Sequence, residues 1–325
     1  MISESDIRTG VIYERAEAET SEKFGKKPEE RDIEEMLSCA LINLDKPKGP
    51  TSHEVVSWVK RIFIVGKAGH SGTLDPKVTG VLPVAIGKAT KVLQVLLLGG
   101  KEYVGVMHFH ETIGEKEVLK VFKEFTTTIY QRPPVKSAVV RRVRRRKVYN
   151  LELLEMDGKD VLFRASTQAG TYIRKLCHDI GLVTGVGANM AELRRTRVSN
   201  FTEDKRLYLQ DVLDAHIFYH EEGDEKELRR CLQPVEAAVE QVPKVWIQDS
   251  AVDSVCHGAE LAIPGIVQLE DIEKGEMAAV MTLKNELVAL GRVQMTVKDI
   301  LTRGKGIAVA TERVIMERGV YPRNW

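Results

Sequence analysis

The stretch Gly69-His70-Ser71-Gly72-Thr73-Leu74-Asp75-Pro76-Lys77-Val78-Thr79-Gly80 places one carboxylate, Asp75, in a loop framed by glycine and proline. Gly69, Gly72 and Gly80 can take backbone angles that other residues avoid. Pro76 fixes the turn directly after the acid. A carboxylate held in this way is a candidate for covalent or acid–base chemistry, and the plain alternative is a helix cap or turn aspartate. Upstream, Thr51 and Glu54 have capping-box spacing, and Val55, Val56, Val59, Ile62 and Phe63 share one helical face. Gly66 is predicted to end that helix. Residues 41–44 read as a short strand before it, and residues 81–86 are an apolar run after the loop.

Farther along, residues 89–98 are predicted helical up to Gly99-Gly100, and residues 101–110 alternate like a strand. Pro133-Pro134 breaks the pattern. Residues 161–167 read as a strand. Ile173, Leu176, Cys177 and Ile180 form a helix stripe predicted to stop at Gly181. Residues 216–230 are a polar, acidic connection. From Val245 onward, short alternating runs with turn signals, such as Lys284-Asn285, describe a small β-domain. Residues 1–40 read as a charged N-terminal extension.

With 325 residues, 43% hydrophobic and 29% charged, the chain is long enough for two cored domains. It shows no signal peptide and no apolar stretch near membrane-spanning length. Cys39, Cys177, Cys231 and Cys256 are scattered with no CxxC pair. That spacing argues against a zinc site or a disulfide framework and suits a reducing, cytoplasmic location.

The overall charge of +1 conceals a strong asymmetry. Net charge is −5 over residues 1–40, +13 over 41–207 and −7 over 208–325. A basic middle predicts an anionic partner docked there. Its densest part is Arg141, Arg142, Arg144, Arg145, Arg146 and Lys147, whose mutual repulsion phosphates would relieve. Arg194, Arg195 and Arg197 form a smaller second patch. Lys46 and Lys48, in the turn Asp45-Lys46-Pro47-Lys48-Gly49, could flank an anionic substrate. Tyr103 and Tyr172 lie close to basic residues and could stack on bases, the alternative being tyrosines of a core rim. No phosphate-binding loop, GxGxxG, HExxH or GxSxG pattern is present. His108 and His110 share a strand face, with no third metal ligand in view.

Five motifs, in order, resemble those of the TruB-type RNA pseudouridine synthases: Asp45 to Ser52, Gly69 to Pro76, Lys101-Glu102-Tyr103-Val104, Gly170-Thr171-Tyr172-Ile173-Arg174, and Leu193-Arg194-Arg195-Thr196-Arg197. They span residues 41–215. Residues 245–325 resemble a PUA RNA-binding domain. The N-terminal extension, the full-size PUA-like region and Gly72-Thr73-Leu74 are most similar to the archaeal dyskerin-like branch.

The resemblance implies an α/β (α+β) catalytic domain with a mixed, largely antiparallel sheet and a small β-barrel-like PUA domain. The expected boundaries are 1–40 for an extension packing near the PUA domain, 41–243 for the catalytic domain and 244–325 for the PUA domain. It implies cofactor-free isomerisation of uridine to pseudouridine in RNA. Asp75 would act as nucleophile or proton acceptor on a flipped nucleotide. Arg174 would pair with Asp75 and keep it ionised. Tyr103 would stack on the base, and Tyr172 would hold its polar edge and assist the last proton removal. His70 would lie beside the nucleotide, and Lys46 and Pro47 would brace the loop. Arg141 to Lys147 would fall on a mobile RNA-gripping loop. Lys46 and Leu193 are also counted among the RNA-binding residues. The implied partners are an H/ACA guide RNA, rRNA and tRNA substrates, a small zinc-ribbon-like protein, a Gar-type protein and a kink-turn RNA binder. A stand-alone synthase for tRNA uridine 55 and a non-catalytic RNA-binding scaffold are the competing readings.

Overall fold

The computed structural model describes residues 10–133 and 140–323. Pro134 and the start of the predicted basic segment at Lys136 lie outside them. The larger part of the chain is built on a ten-stranded sheet. Its main path runs Gln233–Pro234, Ala40–Lys46, Thr79–Ile86, Ala188–Val198, Lys101–Phe109, Asp160–Thr167, Arg144–Asp157 and Thr128–Gln131. Ala68–His70 and Phe201–Thr202 pair off this path. Among the described residues the ladders of this sheet are antiparallel, except where Thr79–Ile86 runs parallel to Ala188–Val198. The sheet is therefore mixed and largely antiparallel.

Ala40–Lys46 is buried along its whole length, as expected of an apolar run covered on both faces. On one side Ile42, Leu44, Leu82 and Val84 meet Val55, Val59 and Phe63 of the segment after the capping box, with Val212 and Ala215 of the helix Leu209–Glu222. On the other side Leu41, Val81 and Ala85 share a core with Trp246, Met281, Leu287 and Ile315 of the C-terminal β-domain. At the far end of the sheet Phe109, Phe163 and Ala165 pack against the helices Glu115–Phe125 and Ile173–Thr184.

The capping box is formed. Thr51 Oγ1 accepts the Glu54 amide at 3.2 Å and Glu54 accepts the Thr51 amide at 2.7 Å, which starts the helix Ser52–Ile62. Three boundaries differ from the sequence reading. That helix ends at Phe63, with Ile64 at φ +52, before Gly66 is reached. Residues 89–98 split into a 3₁₀ turn, Gly87–Val92, and a shorter α-helix, Leu93–Leu98. The helix Ile173–Thr184 runs through Gly181 to the left-handed Gly185. Gly181 serves close packing instead, because a Cβ there would lie 2.0 Å from the Ala188 nitrogen.

The C-terminal domain is a seven-stranded sheet whose edge strand, Ile12–Glu14, comes from the N-terminal extension and pairs with Ile266–Glu270. Side-chain hydrogen bonds fasten the extension further, among them those of Glu286 and Glu236. The buried carboxylate of Glu286 accepts from the Tyr321 hydroxyl at 2.6 Å, the Thr282 hydroxyl at 3.0 Å and the Lys26 amide at 3.2 Å. Arg31 grips Glu236 with two bonds of 2.8 Å. No helix among the described residues is long and apolar enough to cross a membrane.

Candidate active site

The Asp75 loop lies between the strands Ala68–His70 and Thr79–Ile86 and is fixed mainly through its backbone. Lys46, fully buried, donates its ammonium to the carbonyls of Pro47 at 2.8 Å, Pro76 at 3.3 Å and Val78 at 2.9 Å. Arg195, 1% exposed, donates to Val81 O at 2.8 Å and Gly72 O at 3.1 Å, and its guanidinium bonds the Tyr103 hydroxyl. Ser52 Oγ contacts both backbone groups of Leu74. The Val78 amide closes a turn onto Asp75 O at 2.9 Å. Gly80, at φ +106, lies so close to the neighbouring strand that a Cβ would fall 2.1 Å from Arg195 O.

This bracing leaves the Asp75 carboxylate turned outward, ion-paired with Arg174. The two side chains are 52% and 54% exposed, so the pair is accessible from solvent. Arg174 is in the first turn of the helix Ile173–Thr184, and Tyr172 is the residue immediately before that helix. His70 Nδ1 accepts the Gly72 amide at 3.1 Å, so the neutral ring carries its proton on Nε2. Burial, His53 and Arg195 push the His70 pKa down to about 4.

Behind the loop lie three buried cations, Lys46, Lys101 and Arg195. Lys101 donates to Leu96 O, Leu97 O and Gly99 O at 2.7–2.9 Å, which caps the helix Leu93–Leu98. Main-chain carbonyls supply the solvation that burial removes. Burial, and then the charge of Arg195, lowers the pKa of Lys46 and brings that of Lys101 down to about 7. These three buried groups therefore brace the backbone around the loop and do not present charge to a ligand.

Several sequence expectations change. Lys46 cannot touch RNA, because it is buried and spent on carbonyls; it is a brace. The patch Arg194, Arg195 and Arg197 does not form an anion site. Arg195 is internal. Arg194 is held by Asp45 at 2.6 Å and 3.0 Å and by Glu203 at 2.5 Å. Arg197 donates to Ser199 O at 3.2 Å. Leu193 packs half-buried opposite Gly105. His108 and His110 pair with Asp160 at 2.7 Å and Asn189 at 3.1 Å.

The basic ribbon is in part a strand. Arg141 and Arg142 precede it, while Arg144, Arg145, Arg146 and Lys147 pair with Gln131, Tyr130, Ile129 and Thr128. Alternation separates them: Arg144 and Arg146 are half-buried, Arg145 and Lys147 exposed. Arg146 lies over Gly170, and Gln131 bonds the backbone of Tyr172. Ser52, Gln131 and the internal role of Arg195 escaped the sequence reading. Ser52, inside the capping box, and Arg195 both lie within the motifs quoted above, and Gln131 carried no local signal.

The chain matches the family description "TruB family pseudouridylate synthase (N terminal domain)" over residues 60–117 and the tRNA pseudouridylate synthase B C-terminal domain over 174–240. A DKCLD domain matches residues 8–56 and a PUA domain 243–315. The "Probable tRNA pseudouridine synthase B" of Methanopyrus kandleri is 57% identical, over 98% of this chain and 94% of that protein. That of Pyrococcus horikoshii is 56% identical, over 99% and 97%. A chain in a solved H/ACA RNP bound to a substrate RNA containing 2'-deoxyuridine is 51% identical with TM-score 0.93, covering 99% of both chains. One in a Cbf5-Nop10-Gar1 complex is 54% identical with TM-score 0.94, covering 98% of both.

Proposed function

Because the chain belongs to the TruB family of pseudouridine synthases, isomerases that act on uridine, we propose that Asp75 is the group on which its chemistry turns. The observation that carries this is the Asp75–Arg174 ion pair, solvent-accessible on a loop whose backbone is held by Lys46, Ser52 and Arg195. The carboxylate either attacks the ribose or takes a proton from it as the glycosidic bond from C1' to N1 breaks. The freed base turns and C5 bonds to C1' as the Asp75 ester bond breaks, or as the proton taken from the ribose is returned. C5 then gives up its proton and N1 ends protonated, so that uridine and product are isomers. Tyr103 stacks on the flipped base, Tyr172 holds its polar edge, and His70 lies beside the nucleotide.

The particle in which it acts is a guide-RNA ribonucleoprotein of the H/ACA kind. Relatives of matching length are solved with Nop10, with Gar1 and with substrate RNA, and this chain matches them along almost its whole length. The proposal includes rRNA as substrate, a kink-turn RNA-binding protein as a further partner, and a cytoplasmic location. The relatives' name, tRNA pseudouridine synthase B, favours a second activity on tRNA uridine 55.

Tritium release from labelled tRNA and rRNA fragments, with and without an H/ACA guide, separates these substrates. Turnover of rRNA only with the guide is expected, with Asp75→Asn inactive on either RNA yet binding within a few-fold. Normal turnover by Asp75→Asn refutes the assignment.

A further inference from the structure

The basic hairpin and the segment carrying Tyr172 and Arg174 are distant in sequence but joined by two side chains. Gln131 ends the strand Thr128–Gln131, is 2% exposed and pairs with Arg144 across the hairpin. The Tyr172 amide donates to Gln131 Oε1 at 2.9 Å, and Gln131 Nε2 donates to Tyr172 O at 3.2 Å. A peptide group on a neighbouring strand would bond in the same way. The Tyr172 side chain provides no cap of its own for the helix Ile173–Thr184, so the Gln131 amide fixes the helix entrance from outside. On the other hairpin strand, Arg146 lies against Gly170, where a Cβ would stand 3.1 Å from Nε and Nη2. Gly170, at φ +77, makes the turn that directs Tyr172.

We propose that Gln131 is a positioning residue that couples the basic hairpin to Tyr172 and Arg174. RNA held on the hairpin and the groups that act on its uridine then share one frame. The proposal rests on the reading of Asp75, Tyr172 and Arg174 given above. Displacements near 1 Å can cost on the order of a hundredfold in rate, so two hydrogen bonds to the backbone of this segment are enough to matter.

The test uses the full chain with a 5-tritiated tRNA transcript at saturating enzyme. Gln131→Leu keeps the approximate shape and removes both bonds. Its single-turnover rate is expected to fall about 30- to 100-fold, with RNA affinity within threefold and faster hydrogen exchange at the Tyr172 amide. Gln131→Glu keeps the acceptor and loses the donor, and is expected to fall about tenfold; it also serves if the leucine variant fails to fold. Wild-type rates in a folded variant overturn the coupling. So does a fall in rate that tracks weakened RNA affinity, or one with unchanged Tyr172 exchange. Asp75→Asn is run alongside: if it turns over, the catalytic reading fails, while the exchange result still judges Gln131.

Discussion

The Ser52 hydroxyl holds Leu74 by both of its backbone groups, accepting from the amide at 2.9 Å and donating to the carbonyl at 3.2 Å. The first residue of a helix is thus fastened to the residue before Asp75. Ser52→Ala leaves a buried amide and carbonyl without partners, at a cost of about 1–3 kcal/mol. The expected result is a lower urea midpoint and a slower single-turnover rate with RNA affinity retained. A variant as stable and as fast as the wild type would show that the clamp is idle.

Lys46→Met keeps the length of the side chain and removes the ammonium. The carbonyls of Pro47, Pro76 and Val78 lose their common donor. Stability is expected to drop by about 2–4 kcal/mol, since several buried acceptors are orphaned together. Thermal unfolding checks this. RNA affinity measured below the melting range should stay within a few-fold, because Lys46 does not reach the surface; a large drop in affinity would restore it as an RNA-binding residue.

The exposed hairpin face carries Arg145 and Lys147. If these meet single-stranded phosphates, replacing both with glutamine flattens the plot of log affinity against log salt by about 0.7 for each phosphate no longer neutralised. Filter binding from low to moderate salt measures the slope. An unchanged slope would place the phosphates elsewhere, with Arg144 and Arg146 the next residues to test.

His70 makes stability depend on pH. Its pKa is about 4 in the fold against 6.5 for the free side chain. Between these values the unfolded chain binds more protons, so stability is complete above about pH 6.5 and is lost as pH falls toward 4. His70→Gln removes this component. The melting temperature of the wild type should therefore fall more steeply than that of the variant over that window, and parallel curves would contradict it.

Local chemistry revealed the parts of the fold that depend on neighbours in sequence. Thr51 and Glu54 announced their helix, the apolar run after the loop became the strand Thr79–Ile86, and the motif residues Asp75 and Arg174 do meet. The misreadings came from tertiary context. Arg194 and Arg195 are adjacent on a strand and so point to opposite faces. Which one goes inward is decided by Asp45 and the Gly72 carbonyl, both remote in sequence, together with the nearer Glu203. Gly181 looked like a helix stop because only the strand Ala188–Val198 packed beside it shows why a side chain has no room there. Gln131 carried no signal, since its partner lies 41 residues away.

The strand Ile12–Glu14 sets an order of events during synthesis. It belongs to the sheet of the C-terminal domain, and the hydrogen bond from Arg15 to Ile266 spans 251 positions. At ribosomal rates the extension must wait roughly 10–50 s for its neighbour to emerge. Until then its strand-forming backbone groups stay unpaired, and the β-domain completes its edge only when both ends of the chain are available. The pairing of Ile12–Glu14 with Ile266–Glu270 therefore forms only after the later strand has been made.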